Sequence, residues 1–137
     1  METLWQQAYP SECVIVRPTG IYGTSVTRMI KLTETTKSYP KLHWSNRIHI
    51  EDLVAFLAHL LHVEHTEKSY ICSNSQPLPL HEIIQWFQQQ LGLPTLVLES
   101  DVPSGKQIYA TRMQQMNFEL QHSHCFDDYL ALLEERE

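Results

Sequence analysis

Two short segments hold most of the residues able to do chemistry. The first is Val14–Gly23, VIVRPTGIYG, an apolar β-branched run ending in Arg17 and a turn that places Tyr22 between glycines. An arginine at the end of a buried strand, beside a tyrosine hydroxyl, can hold an anionic or hydroxylated ligand. Open α/β sheets place their ligands at the C-terminal ends of such strands. Arg17 has a second reading, a structural one, in which it clamps a helix end or pairs with Asp52. The second segment is Asn46–Val54, NRIHIEDLV, a short strand feeding a helix with Glu51 and Asp52 in its first turn. Arg47 and His49 alternate with Ile48 and Ile50, so one pair faces the core and the other faces a cleft or solvent. Arg28, on a weakly helical stretch, reads by itself as a solvated charge.

The remaining polar clusters are poorer in chemistry. His62 and His65 are three apart near a helix end, and His122, His124 and Cys125 form an HxHC run. Neither supplies four ligands, and no metal site is expected. A serine hydrolase lacks its GxSxG elbow. Gly20, Gly23, Gly92 and Gly105 are the only glycines, and none forms GxGxxG. No tyrosine is followed by lysine four residues on, so nothing lowers a phenol from its ordinary pKa of about 10 to serve as a base. No catalytic residue is assigned. Gln85 and Gln88–Gln90 read as the solvated face of a helix.

The elements that must position these groups alternate along the 137 residues. Glu2–Ala8 predicts one or two helical turns and Val14–Val16 a strand buried on both faces. Thr24 to about Lys37 is weakly helical, with Met29, Ile30 and Thr33 on one side, and a loop surrounds Pro40. Glu51–Val63 is the strongest helix, its Leu53, Phe56, Leu57, Leu60 and Leu61 recurring at helical spacing. Ser69–Cys72 is a second strand. Leu80–Leu91 is a helix bounded by Pro79 and Gly92, and Thr95–Leu98 is extended. Thr111 caps a short helix ending at Asn117, and Phe126–Leu133 makes a closing helix. With a formal charge of −6 and no basic run, nucleic acid and anionic membrane are poor partners. Leu53–Leu61 is too short to span a bilayer, and the start shows no secretory signal. Three widely spaced cysteines without CxxC suit free thiols in a reducing cytoplasm.

Together, the GIYG turn and the NRIH strand resemble the C-terminal half of an extended short-chain dehydrogenase/reductase of the NAD-dependent epimerase/dehydratase type. The resemblance runs from Val14 to about Leu133. It implies an α/β fold: a partial Rossmann-type sheet over residues 1–75, with the last parallel strands, and a mostly helical substrate-binding region over 76–137. By position, Pro18 and Thr19 are similar to residues whose backbone lies under a nicotinamide, so NAD or NADP is implied, though not as a ligand of this chain alone. Arg17, Gly20, Tyr22, Arg28, Arg47 and His49 fall where the family lines its substrate cavity. Gly20 and Ser45 stand where nucleotide-sugar enzymes often carry asparagine and arginine, which leaves a small sugar-like substrate of unassigned identity. The glycine-rich loop and Tyr-x-x-x-Lys pair of such enzymes are missing from this sequence.

Two expectations follow. The chain is the substrate-binding, sheet-completing portion of such an enzyme, inactive alone and completed by an N-terminal chain or by homo-oligomers through an exposed strand edge. Alternatively, it is a freestanding ligand-binding or interaction module derived from that fold.

Overall fold

A computed structural model describes residues 7–8 and 13–136. In chain order the elements are β1 (Ile15–Pro18), β2 (Gly20–Tyr22), α1 (Thr27–Thr35), β3 (Ser38–Tyr39), β4 (Leu42–Ser45) and β5 (Arg47–His49). Then come α2 (Ile50–Leu60), β6 (Ser69–Cys72), β7 (Leu78–Pro79), α3 (Leu80–Leu91), β8 (Val97–Leu98), β9 (Pro103–Ser104), α4 (Thr111–Gln115) and α5 (Cys125–Arg136). The class is mixed α/β with short parallel pairings, as the sequence predicts. Strand β1 runs parallel to β6, with Ile15 opposite Ser69 and Pro18 opposite Cys72. Strand β2 runs parallel to β5, with Gly20 opposite Arg47 and Tyr22 opposite His49. Strand β4 is sandwiched between β7 and β9, and β3 pairs with β8.

Local sequence explains where the helices start and stop. His49 occupies the N-cap of α2, and its Nδ1 accepts the Glu51 N–H at 3.0 Å. Glu51 and Asp52 in the first turn complement the positive end of the helix dipole. Helix α3 ends because Gly92 turns left-handed, which lets the Leu93 N–H return to the Gln88 carbonyl at 2.8 Å. Asn117, also left-handed, closes the stretch after α4.

Two apolar clusters form the core. In one, Leu53 and Phe56 of α2 pack over Tyr70 and Cys72 of β6, with Ile48 and Met113. In the other, Val26 and Ile30 of α1 meet Ile83 and Phe87 of α3 and Tyr129 of α5. The first cluster holds the parallel pair under α2, and the second seats α5 on α1 and α3.

Several details differ from expectation. Strand β1 extends to Pro18, because Arg17 and Pro18 pair with Ile71 and Cys72. Helix α2 stops at Leu60, and Leu57 and Leu61, expected on the core face, are 43% and 84% exposed. Strands β3 and β4 flank the loop around Pro40. Thr111 is the first residue of α4, not its cap. All three residues of β5 are buried, so its two faces do not divide into core and solvent. Apart from Gln7 and Ala8, which are helical, the predicted helix Glu2–Ala8 lies outside the described residues.

Gln88 is the clearest correction. It is 1% exposed rather than solvated. Its amide nitrogen donates to the Thr36 carbonyl at 2.9 Å and to that of Thr33 at 3.3 Å, while its oxygen accepts the Leu96 N–H at 2.7 Å. One side chain thus closes the C-terminal end of α1 and the start of the β8 segment. Replacing it with leucine, Gln88→Leu, strands buried backbone groups. The expected loss is about 1–3 kcal/mol of unfolding free energy in urea denaturation, and an unchanged midpoint would refute the bracing role.

Candidate functional site

The GIYG turn is built around close approaches. The Gly20 N–H donates to the Asn46 carbonyl at 3.0 Å, and a Cβ at Gly20 would sit 3.1 Å from the same oxygen. Gly23 has φ of +118°, and a Cβ there would lie 2.7 Å from Cδ2 of His49. Glycine is therefore required twice over at 23, by conformation and by the imidazole beneath it. The turn sends the Tyr22 ring edge-on against His49, with centroids 5.1 Å apart, and tilted against Tyr129 at 5.2 Å.

On its outer side the turn forms one wall of an open groove of about 800 Å³ that runs along α1. Ile21, Tyr22, Arg28, Leu32 and Tyr129 line it. Thr24, Ser25, Thr27, Lys31 and Thr35 line it as well, so apolar surface and polar groups alternate along it, a make-up that suits a small polar ligand.

On its inner side the turn meets a chain of polar groups. The Tyr22 hydroxyl donates to Asp128 Oδ2 at 2.7 Å. Asp128 Oδ1 lies 2.6 Å from Nδ1 of His122, and Nε2 of His122 lies 2.9 Å from Glu51 Oε2. His122 stacks on His49 with centroids 3.6 Å apart and planes 8° from parallel. The buried Asp52 carboxylate fixes the segment, accepting the N–H groups of Gln121 at 2.8 Å and His122 at 2.9 Å.

The charges follow from these contacts. Burial opposes a proton on His122, but hydrogen bonds to Asp128 and Glu51 outweigh it and hold its pKa above the usual value. Burial, and then the neighbouring His122, push His49 below the usual value. Burial and the Asp128 hydrogen bond raise the Tyr22 phenol, so it serves as a hydrogen-bond donor and not as a base. Burial likewise raises Cys125 and Tyr129, partly offset by the Arg47 guanidinium, and pushes Cys72 to about 11.

His49, His122 and Asp128 place one donor atom each within 4.8 Å of one another, near enough together for a cation. The geometry seen is that of a hydrogen-bond relay. Parallel stacked rings send their lone pairs side by side instead of converging on one point. His49 spends its Nδ1 lone pair on the Glu51 N–H, which leaves the proton of the neutral ring on Nε2. Both nitrogens of His122 face carboxylates.

The structure separates the residues singled out by sequence. Tyr22 and Arg28 share the groove. Arg47, only 6% exposed, donates through Nη2 to Ser45 Oγ at 2.8 Å, while its Nη1 is buried without a hydrogen bond. His49, 5% exposed, is a helix cap. Thr19 donates through both its N–H and its hydroxyl to the Cys72 carbonyl, and Pro18 is exposed at the end of β1. Arg17 lies elsewhere, lining a cleft of about 240 Å³ with Ser69, Tyr109 and Arg112. The carboxylate of Asp52 is taken up by residues 121 and 122. Of the HxHC run, His122 joins the network, Cys125 is buried at the start of α5 and His124 is exposed. Asp128 and Glu51 carry no sequence signal as partners, because each meets His122 only through the fold.

No protein-family model matches the sequence, and no curated protein matches it. Solved structures do. A provisionally named NAD-dependent epimerase/dehydratase from Methylobacillus flagellatus matches at 28% identity and TM-score 0.73, covering 98% of this chain and 52% of that one. A dTDP-glucose 4,6-dehydratase from Bacillus anthracis, solved in complex with NAD, matches at 15% identity and TM-score 0.70, covering 98% and 48%. A UDP-N-acetylglucosamine 4-epimerase from Bacillus cereus matches at 10% identity and TM-score 0.68, covering 96% and 53%. The chain spans about half the length of each.

The stacked pair makes a pH prediction. An unfolded histidine titrates near ~6.5. His122, raised, adds stability that is present below that value and lost as pH climbs through its higher folded midpoint. His49, lowered, adds stability that is present above it and lost as pH falls through its lower one. NMR titration should therefore show one midpoint on each side, and His122→Ala should move that of His49 upward. An unmoved His49 midpoint would rule out electrostatic coupling across the stack.

Proposed function

From the premise that this chain carries the fold of the C-terminal half of an extended short-chain dehydrogenase/reductase of the NAD-dependent epimerase/dehydratase type, we propose that it is the substrate-binding portion of such an enzyme. The groove between the GIYG turn and α1 carries this reading, since it opens at the C-terminal end of the parallel strand β2. Its ligand is a small, hydroxylated, sugar-like molecule. Arg28 and Lys31 at the rim suit an anionic group on it, and Tyr22, its proton committed to Asp128, offers lone pairs to a ligand hydroxyl. Arg47 and His49 act from beneath, one bracing β5 and the other holding α2 and the turn in place.

A nicotinamide, held mainly by a complementing nucleotide-binding chain, would supply hydride-transfer chemistry, with Pro18 and Thr19 of this chain along one edge of it. The residues of this chain fit one edge of that cofactor only. Pro18 is exposed at the end of β1, and Thr19 is pinned to Cys72, which sets the backbone between them as a floor. Gly20 and Gly23 are committed to Asn46 and His49, so neither is available to cradle a pyrophosphate. The chain's own contribution is thus to bind and orient substrate, while the proton-transferring base comes from the complementing segment.

A second reading, a freestanding binding module, is favoured by one observation: residues of this chain alone form the groove. Calorimetry separates the two. The chain by itself should show no NAD or NADP binding, and a complex with the nucleotide-binding half of the Methylobacillus flagellatus protein should bind one of them. Within that complex, Arg28→Ala should weaken a phosphorylated sugar ligand about tenfold or more, as expected for losing a charge-assisted hydrogen bond. Cofactor binding by the isolated chain would overturn the division of labour. Tight ligand binding by the isolated chain, with no complex formed, would leave the module.

A further inference from the structure

Arg17 shares a cleft with a second arginine, Arg112, and not with Tyr22. Alternation along the parallel pair explains the placement. Tyr70 and Cys72 of β6, with Val16 of β1, pack into the core under α2. Ser69 and Ile71 therefore stand on the opposite face, and Arg17 joins them there, opposite Ile71 in register. Helix α4 lies against β6 and brings Thr111 and Arg112 to that face. Together with Tyr109, these residues line a cleft of about 240 Å³. It shares no lining residue with the groove along α1.

We propose that this cleft is an anion site that takes a phosphate dianion, free or as the head of a small ester. Its walls are fixed before a ligand arrives. Arg112 donates through Nη1 to the Ser69 carbonyl at 2.7 Å and to Ser69 Oγ at 3.1 Å, which holds its guanidinium in one orientation. Those bonds use one nitrogen of the fork, and a guanidinium with five N–H donors still has others to offer a phosphate. The segment carrying Tyr109 is pinned on both sides of that residue. The Ile108 N–H donates to Asn46 Oδ1 at 2.8 Å, and the Ala110 N–H donates to Ser75 Oγ at 2.9 Å. Such preorganisation lowers the entropic cost of binding.

Charge selects the ligand. Acids outnumber lysines and arginines sixteen to ten in this chain, yet two of those ten line one small cleft with no carboxylate in its lining. Two guanidinium groups repel each other, and a doubly charged anion between them is attracted to both. A carboxylate brings one charge and two oxygens. A phosphate ester brings about −1.5 to −2 near neutrality and three acceptor oxygens. The hydroxyls of Ser69 and Thr111 add neutral donors, and the half-exposed Tyr109 ring gives a wall for an ester carbon. Size sets the upper limit. The cleft is smaller than the ~300–1,000 Å³ of a site for a drug-sized ligand, so it suits a phosphate with little attached. The proposal is independent of the half-enzyme reading, because all six lining residues belong to this chain.

The test is an NMR titration of the full chain with inorganic phosphate at constant ionic strength. Saturable shifts should appear at the amides of Ser69, Ile71, Tyr109, Thr111 and Arg112. Arg17→Gln and Arg112→Gln should each weaken binding at least tenfold, while Lys41→Ala, at an exposed charge elsewhere, changes it less than twofold. Arg17→Gln keeps the measurement readable if losing the Ser69 bonds unfolds the Arg112 variant. Methyl phosphate binding more tightly than phosphate would make a small ester the ligand, and equal affinity would make it the free ion. Shifts at residues 27–31 in place of these would put the anion in the groove along α1 and overturn the assignment. Acetate binding as tightly as phosphate, binding indifferent to both arginine variants, or no saturable shift at all would overturn it equally.

Discussion

The site depends on a buried carboxylate holding two backbone N–H groups. Asp52 is 1% exposed and sits in the first turn of α2, where the helix dipole favours its charge. Its two oxygens accept from Gln121 and His122, almost seventy residues along the chain. Bonds of this kind, to a charged acceptor, contribute about 1.5–3 kcal/mol each. They matter here for what they position. With residues 121 and 122 fixed, the His122 ring can fall only between Glu51 and Asp128, and Asp128 then receives the Tyr22 hydroxyl. The C-terminal helix is thereby joined to the strand turn that shapes the groove. An acid read from sequence as a helix-start signal is the keystone of a long-range contact.

Stacking one histidine on another works only if the two differ in charge. Two imidazolium rings 3.6 Å apart would repel strongly in so enclosed a place. The structure separates them by giving them different tasks. His122 has a carboxylate at each nitrogen, and His49 has a backbone N–H at Nδ1. The first is the natural cation and the second the natural neutral ring. Gly23 belongs to the same arrangement, because only a residue without Cβ lets the turn close over His49. The GIYG turn and the NRIH strand, noticed separately as sequence motifs, are one packed unit in which β2 pairs with β5.

What the sequence revealed, and what it hid, divides by range. The strands at 47–49 and 69–72 and the helices at 80–91 and 125–136 were legible from apolar spacing and from Pro79 and Gly92, because local periodicity decides them. Thr95–Leu98 was legible as extended, but the other two-residue strands were not, since each is extended only because a distant partner pairs with it, as Pro103–Ser104 does with Leu42–His43. Gln88 misled for a related reason. Its neighbours Gln89 and Gln90 are exposed, and nothing local reveals that its amide faces three backbone groups of other segments. Of the site, Tyr22 and Arg28 were readable together from position. The relay through Asp128 was not, because His122 finds its partners through tertiary contacts across 6 and 71 residues.

The molecule is finished on one side and unfinished on the other. Toward α5, aromatic rings interlock: Trp86 against Phe87 and Phe126, and Phe87 against Tyr129, with the polar relay sealing the seam. Toward β1, a parallel strand shows an open edge among the described residues, and the adjacent helix flank carries bare leucines. A parallel pair is ordinarily buried on both faces within a larger sheet, since it shares its hydrogen bonds less economically than an antiparallel one. A fold shaped for solitary existence would blunt such an edge with charge, a bulge or a covering helix. On β1 the one charged residue is Arg17, near its C-terminal end, and Ile71, its partner on β6, is 41% exposed. The same asymmetry leaves one face closed by interlocking rings and the polar relay, and the other with a strand edge and a helix flank open among the described residues.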